Sequence, residues 1–264
     1  MKLYFAGAES VHPNHYGLVK RVLLSFANKK IGKYLPIWDD IFIDSGAFTA
    51  FTTGKKINHK EYIRFIKENN IKKYASLDVI GNAEGSKKNY LKEIKEGLNP
   101  IPAFHYGEKI DYLKFYLDNA SYIALGGVAQ LARNRSKLFR FFDKCYSLIS
   151  KHQTNVKIHG FAVNSIDLLK RYPFYSVDAT TWKNGSKFRS LINNNYRQIG
   201  LGRAGMGDYQ REKGRAEAKK DIRIFNVMYA DNNEKFDHYN INKLLKLEKY
   251  ITDLWTKRGV IWNE

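Results

Sequence analysis

The chain has 264 residues, 44% of them hydrophobic, which is enough for one sizeable core. No stretch approaches the roughly 20 apolar residues needed to cross a bilayer. The start, MKLYFAGAES, passes from one lysine directly into a strand-like run without an apolar leader, so a cytoplasmic protein is expected. Lys and Arg outnumber Asp and Glu by 45 to 26, a net charge of +19. Such an excess favours a polyanionic partner, because each basic side chain near a phosphate displaces a condensed counterion. A lysine-rich composition alone would produce the same charge. Cys145 is the only cysteine, which excludes an internal disulfide and a cysteine-rich zinc cluster.

In chain order, KLYFAG (2–7) reads as a first strand, followed by a helical segment near 15–27 carrying Leu18, Val22 and Leu23. IFIDSGAF (41–48) is a second strand. Asn58 and Glu61 then have capping-box spacing ahead of Tyr62, Phe65 and Ile66 on one helical face. YASLDVI (74–80) is a third strand, and its helix starts near Ser86 and stops at Gly97. IPAFHY (101–106) and YIALGG (122–127) are the fourth and fifth strands. Leu113, Tyr116 and Leu117 mark the helix between them. Behind the fifth, Leu138, Phe141, Phe142, Cys145, Leu148 and Ile149 recur at helical spacing, which makes Cys145 a buried apolar residue rather than a nucleophile. VKIHGFAV (156–163) is a sixth strand, followed by a short Ser165-capped helix that ends before Pro173. FYSVDAT (174–180) is a seventh, IRIFNVMYA (222–230) an eighth, and Leu244, Leu247, Ile251 and Leu254 mark a terminal helix.

Strands alternating with helices imply parallel pairing through crossover connections. Eight such units in about 250 residues match a closed (β/α)8 TIM barrel in number and size, as a single domain. An open doubly wound sheet is the alternative, and no glycine-rich dinucleotide fingerprint follows the first strand to favour it. A barrel places chemistry at the C-terminal ends of its strands. Asp44, Asp78, His105, Gly126, Gly127 and Asp178 all fall there. Each aspartate has a plainer reading as a cap for the following turn, and the glycine pair as a tight turn. Three carboxylates at strand ends together point to one site. Between strands seven and eight, residues 183–221 form a basic insertion containing Arg203, Arg211, Lys213 and Arg215, either a grip on a phosphate backbone or a solvated charged surface.

These motifs resemble a known family. DSGAF (44–48) is similar to the DSGGF/Y signature of tRNA-guanine transglycosylases, ALGGVA (124–129) to their GGLA-type loop, and SVD (176–178) to the late strand carrying their nucleophilic aspartate. The fuller set of LDVIGN, PAFHYGE, ALGG, HGFAV and RYPFYSVDATTW resembles the compact DpdA-like transglycosylases of bacteriophages and bacterial genomic islands, which place 7-deazaguanines in DNA. The resemblance spans roughly residues 2–182 in matching order. The chain departs from the tRNA enzymes in lacking their zinc-binding cysteines and in carrying His105 where they have a glutamine that reads the base.

The resemblance implies exchange of guanine for a 7-deazaguanine such as preQ0, with no cofactor and no metal. Asp178 would be the nucleophile and Asp44 the general acid and base. Asp78 would accept from the purine edge, Gly126 and Gly127 would bring backbone donors to its carbonyl, Phe48 would stack on the base, and Ser45 and His105 would complete the pocket. DNA is the expected polynucleotide and tRNA the alternative. A base-releasing N-glycosylase and a catalytically silent nucleic-acid-binding barrel are the competing readings. His159, on the apolar sixth strand, is left outside the site as a core histidine.

Overall fold

Along each strand the side chains alternate between two apolar compartments, so the sheet is buried on both faces. In β1 (Lys2–Ala6), Leu3 and Phe5 join a large outer cluster beneath the helices, while Tyr4 and Ala6 join a smaller inner one with Leu23, Phe42, Ala75, Ala103 and Ala124. The computed structural model of the protein describes residues 1–131, 134–152, 155–201, 212–214, 216 and 233–262. It shows a mixed α/β chain built on a curled, parallel, seven-stranded sheet in the order β3-β2-β1-β7-β6-β5-β4. The other strands are β2 (Arg21–Ser25), β3 (Asp40–Asp44), β4 (Ala103–His105), β5 (Tyr122–Gly126), β6 (Lys157–Gly160) and β7 (Ser176–Ala179). Two single bridges extend the pairing: Ile43 with Tyr74, and Ala75 with Ile101.

The helix expected near 15–27 is not formed. A 3-10 turn occupies Pro13–His15, and residues 21–25 are the strand β2, paired in parallel with both β1 and β3. The physical reason is length: a short apolar run buried on both faces has the same pattern in a strand as in a helix. The segment 74–76 contributes bridges rather than a full strand. The expected eighth strand at 222–230 lies outside the described residues.

The helices are α1 (Ala47–Thr52), α2 (His59–Glu68), α3 (Ala83–Lys95), α4 (Ile110–Asn119), α5 (Arg135–Lys151), α6 (Ile166–Arg171), α7 (Asn184–Phe188) and α8 (Asn233–Lys257). Asn58 caps α2 as its spacing predicts, its side chain accepting from the backbone N–H of Lys60 and Glu61. Ser165 sits at the N-cap of α6, but its hydroxyl makes no capping bond. Cys145 is buried on α5, where desolvation pushes its thiol up to about 12 and leaves it inert. After β7 the chain forms an antiparallel hairpin of β8 (Ser190–Ile192) and β9 (Gln198–Gly200). Helix α8 lies against it, and Asn240 accepts from Ile192 N–H and donates to the carbonyls of Trp182 and Ser190. No helix among the described residues is long and apolar enough to cross a membrane.

Candidate active site

Strand register decides which side chains meet. Tyr4 points into the inner compartment, and its parallel partner is Asp178. Leu23 and Phe42 are inner residues paired with each other, so two residues further on Asp44, opposite Ser25, shares their face. His105, opposite Gly126, follows inner Ala103 in the same way. Because the strands run parallel, Asp44, His105 and Asp178 all emerge inward at one end. Asp78 joins them from the loop after 74–76, its Oδ2 lying 3.0 Å from His105 Nε2.

Asp44 feels the charge of both other carboxylates. Its pKa is raised to about 6, first by burial and then by the charge of Asp78, with Asp178 adding to the repulsion and the N–H of Gly46 opposing it. For His105, burial works against the charged form, yet the charge and hydrogen bond of Asp78, with Glu108 and Asp44 behind, hold its pKa above the usual histidine value. Glu108 also accepts from the His105 backbone N–H at 2.9 Å.

Each carboxylate has a specific support. Asp44 Oδ2 accepts from Gly46 N–H at 3.1 Å. Gly46 has φ +78°, and a Cβ there would stand 2.7 Å from Ala27 Cβ and 2.8 Å from its backbone nitrogen. Gly46→Ala therefore combines a left-handed backbone that alanine resists with a backbone collision. It is expected to lower Tm by at least about 5 °C in a thermal melt; an unchanged Tm would show that the 25–27 segment yields freely. The loop carrying Asp78 is clamped by α3: Glu93 accepts from Leu77 N–H, Asn89 donates to Leu77 carbonyl and Ser86 accepts from Val79 N–H. Glu93 is fully buried, which raises its pKa, and it is paired with His59 Nε2 at 2.8 Å. Asp178 is 6% exposed, and its Oδ1 accepts from Ala162 N–H at 2.7 Å. The next turn is anchored by Trp182 Nε1, which donates to Ala6 carbonyl.

The remaining predicted residues are distributed as follows. Ser45 is buried, and its hydroxyl accepts from Ala47 N–H at 3.4 Å at the start of α1. Phe48 is 63% exposed on α1 rather than packed in the core, with Phe51 equally exposed beside it. A Cβ on Gly126 would stand 3.1 Å from His105 Nδ1, and one on Gly127 3.0 Å from His105 Cβ. The glycine pair thus makes room for the His105 ring, a purpose the motif alone does not disclose. Lys213 is exposed, while Arg203, Arg211 and Arg215 lie outside the described residues. No family model and no curated protein matches the chain.

Two residues of consequence escape a reading of the sequence. His159 Nε2 lies 3.4 Å from Asp178 Oδ1, and Glu93 holds the Asp78 loop from beneath. An inner-face position two residues before the strand-end turn was a usable signal for His159. For Glu93, one acid among the charges of a surface helix, there was none. Chemically, the cluster offers a carboxyl that is partly protonated near pH 6, a carboxylate with one oxygen engaged, and an Asp78–His105 pair. Such a division among neighbouring carboxyls allows acid–base and nucleophilic roles to be shared.

Proposed function

We propose that the protein is a base-exchange transglycosylase that replaces guanine in DNA with a 7-deazaguanine through a covalent glycosyl-aspartate intermediate. The observation that carries this reading is the convergence of Asp44, Asp78 and Asp178 at one end of the sheet, where the charges of Asp78 and Asp178 both raise the Asp44 pKa. Oδ2 of Asp178 would attack C1′ as the glycosidic bond breaks, and the departing guanine would take the proton of Asp44. The incoming base would return a proton to Asp44, attack C1′, and release the Asp178 carboxylate, with net retention. Asp78, oriented by His105, would accept from the N–H edge of the purine, and Phe48 would cover its face.

We read the sheet as the lower part of one (β/α)8 barrel domain. The Ile43–Tyr74 and Ala75–Ile101 bridges support this, since they link β3 to the start of β4 through the 74–76 segment. DNA is favoured over tRNA by the compact length, the missing cysteine cluster and the resemblance to the DpdA-like motifs, while the charge of +19 suits either polyanion. A duplex substrate then requires the target guanine to leave the stack.

The test is an exchange assay with labelled guanine on duplex DNA, single-stranded DNA and tRNA side by side, with a 7-deazaguanine as competitor. Incorporation into DNA is expected. Incorporation into tRNA alone would overturn the DNA assignment, release of free base without incorporation would favour an N-glycosylase, and salt-sensitive binding without either reaction would leave a nucleic-acid-binding barrel.

A further inference from the structure

Beneath the carboxylates, a line of polar side chains crosses the otherwise apolar interior. The hydroxyl of Tyr122 lies 2.5 Å from Ser176 Oγ, which lies 2.6 Å from His159 Nδ1. His159 is fully buried, with the rings of Phe42 and Phe161 each 4.7 Å away and that of Tyr4 at 6.2 Å. Its Nε2 is sealed from solvent and makes no hydrogen bond of good geometry among the described residues. The nearest acceptor is Asp178 Oδ1 at 3.4 Å. A buried nitrogen carries the full desolvation cost of its missing partner, so its aim at the Asp178 carboxylate calls for an explanation.

The chemistry of the groups sets the direction of the line. A carboxylate oxygen only accepts, so the nitrogen facing it must carry the hydrogen. With a single hydrogen on the ring, Nδ1 is then an acceptor, filled by the Ser176 O–H, and Ser176 Oγ in turn accepts from the Tyr122 O–H. Run the other way, the line would set the Nε2 lone pair against the carboxylate. Oδ1 of Asp178 also holds the Ala162 N–H, whereas Oδ2 takes no hydrogen bond from a described residue.

We propose that His159 is a positioning residue that donates its Nε2–H to Oδ1 of Asp178, so that Oδ2 is the attacking oxygen and the carboxylate is stabilised as it is released. This inference rests on the transglycosylase reading. In the first step the Oδ2 electron pair forms the bond to C1′ while the C1′–N bond breaks toward the guanine, which gains the Asp44 proton. In the second, the incoming base loses a proton to Asp44 and bonds C1′, and the C1′–Oδ2 pair returns to Asp178. The His159 donor meets a full carboxylate only before the first step and after the second. It therefore favours breakdown of the covalent adduct, and its long contact in the free protein is of the kind that tightens during reaction.

His159→Phe keeps a ring and removes the donor. It is expected to lower kcat about 10- to 100-fold, the range for a charge-assisted hydrogen bond. KM for the free base should stay unchanged, and a larger steady-state fraction of protein should be trapped as a covalent adduct with labelled oligonucleotide on a denaturing gel. His159→Gln, whose amide N–H reaches the Nε2 position, should recover most of the rate. Should His159→Phe not fold, Ser176→Ala and Tyr122→Phe carry the test through a smaller fall in kcat of the same kind. Full activity in His159→Phe, Ser176→Ala and Tyr122→Phe alike, or a fall shared equally by kcat and base affinity without adduct accumulation, would overturn the proposal. Long-range proton–nitrogen NMR of the wild type gives a readout independent of turnover: Nε2 of His159 should be protonated, and an unprotonated Nε2 would overturn the line whatever the kinetics. A protonated Nε2 in a wild type that exchanges no base would support the hydrogen-bond line while overturning the transglycosylase reading.

Discussion

Asp178→Asn is expected to reduce guanine exchange by at least about 10⁴-fold, the scale on which removal of a covalent nucleophile is felt. The fold should survive. Oδ1 is the oxygen that accepts from Ala162 N–H and faces His159 Nε2, and an amide oxygen placed there meets the same donors. Those donors also orient the amide, so that its NH2 group stands where Oδ2 stood, the same shape without the electron pair needed to attack C1′. The comparison requires exchange rates and thermal melts on matched samples. Exchange within tenfold of wild type by a folded Asp178→Asn protein would remove Asp178 from the nucleophile role and pass it to Asp44 or Asp78.

Asp44→Asn should lower exchange by about 10²- to 10⁴-fold, the usual contribution of a positioned acid or base, and should also stabilise the protein at neutral pH. The sign follows from the raised pKa. Below about pH 3.8 the carboxyl is neutral in folded and unfolded chains alike and carries no penalty. As pH rises toward about 6 the unfolded chain ionises while the fold retains its proton, so wild-type stability is lost across that interval and the loss is complete above it. The amide has no such loss, and its oxygen still accepts from Gly46 N–H. Melting curves should therefore show the variant gaining a few degrees over wild type between pH 4 and pH 6, and holding that gain at pH 8. A gain that shrinks with rising pH would mean that the carboxylate is the favoured form in the fold, and Asp44 would then be a poor general acid.

The strand ends were legible because their pattern is local. FIDSGAF, YASLDVIG and YSVDATTW each join apolar residues to an acid and then to turn-forming residues, and the three acids stand within one electrostatic cluster. The strand β2 was not legible as such, since RVLLS buried on both faces carries no period that separates strand from helix. Phe48, expected to stack on the base, stands exposed on α1, the helix that follows the left-handed Gly46. The glycines of ALGG were expected to bring backbone donors to a base. Their missing side chains also leave room for His105, which stands opposite Gly126 only through the parallel β4–β5 pairing.

By itself the sequence determined most of the alternation of strands and helices and the placing of acids where apolar runs end. Those properties follow from side-chain chemistry over a few neighbouring residues. The tertiary structure alone decided which polar groups meet. Asp44 and Asp178 are brought to one face by parallel registers between segments far apart in the chain, where a shift of one residue would turn the acid to the opposite face, and Asp78 joins them from the loop after 74–76. The same registers set Ser176 beside His159 and His159 under Asp178. A histidine that looks like core in its own strand becomes the partner of an acid because β6 lies against β7 in that register.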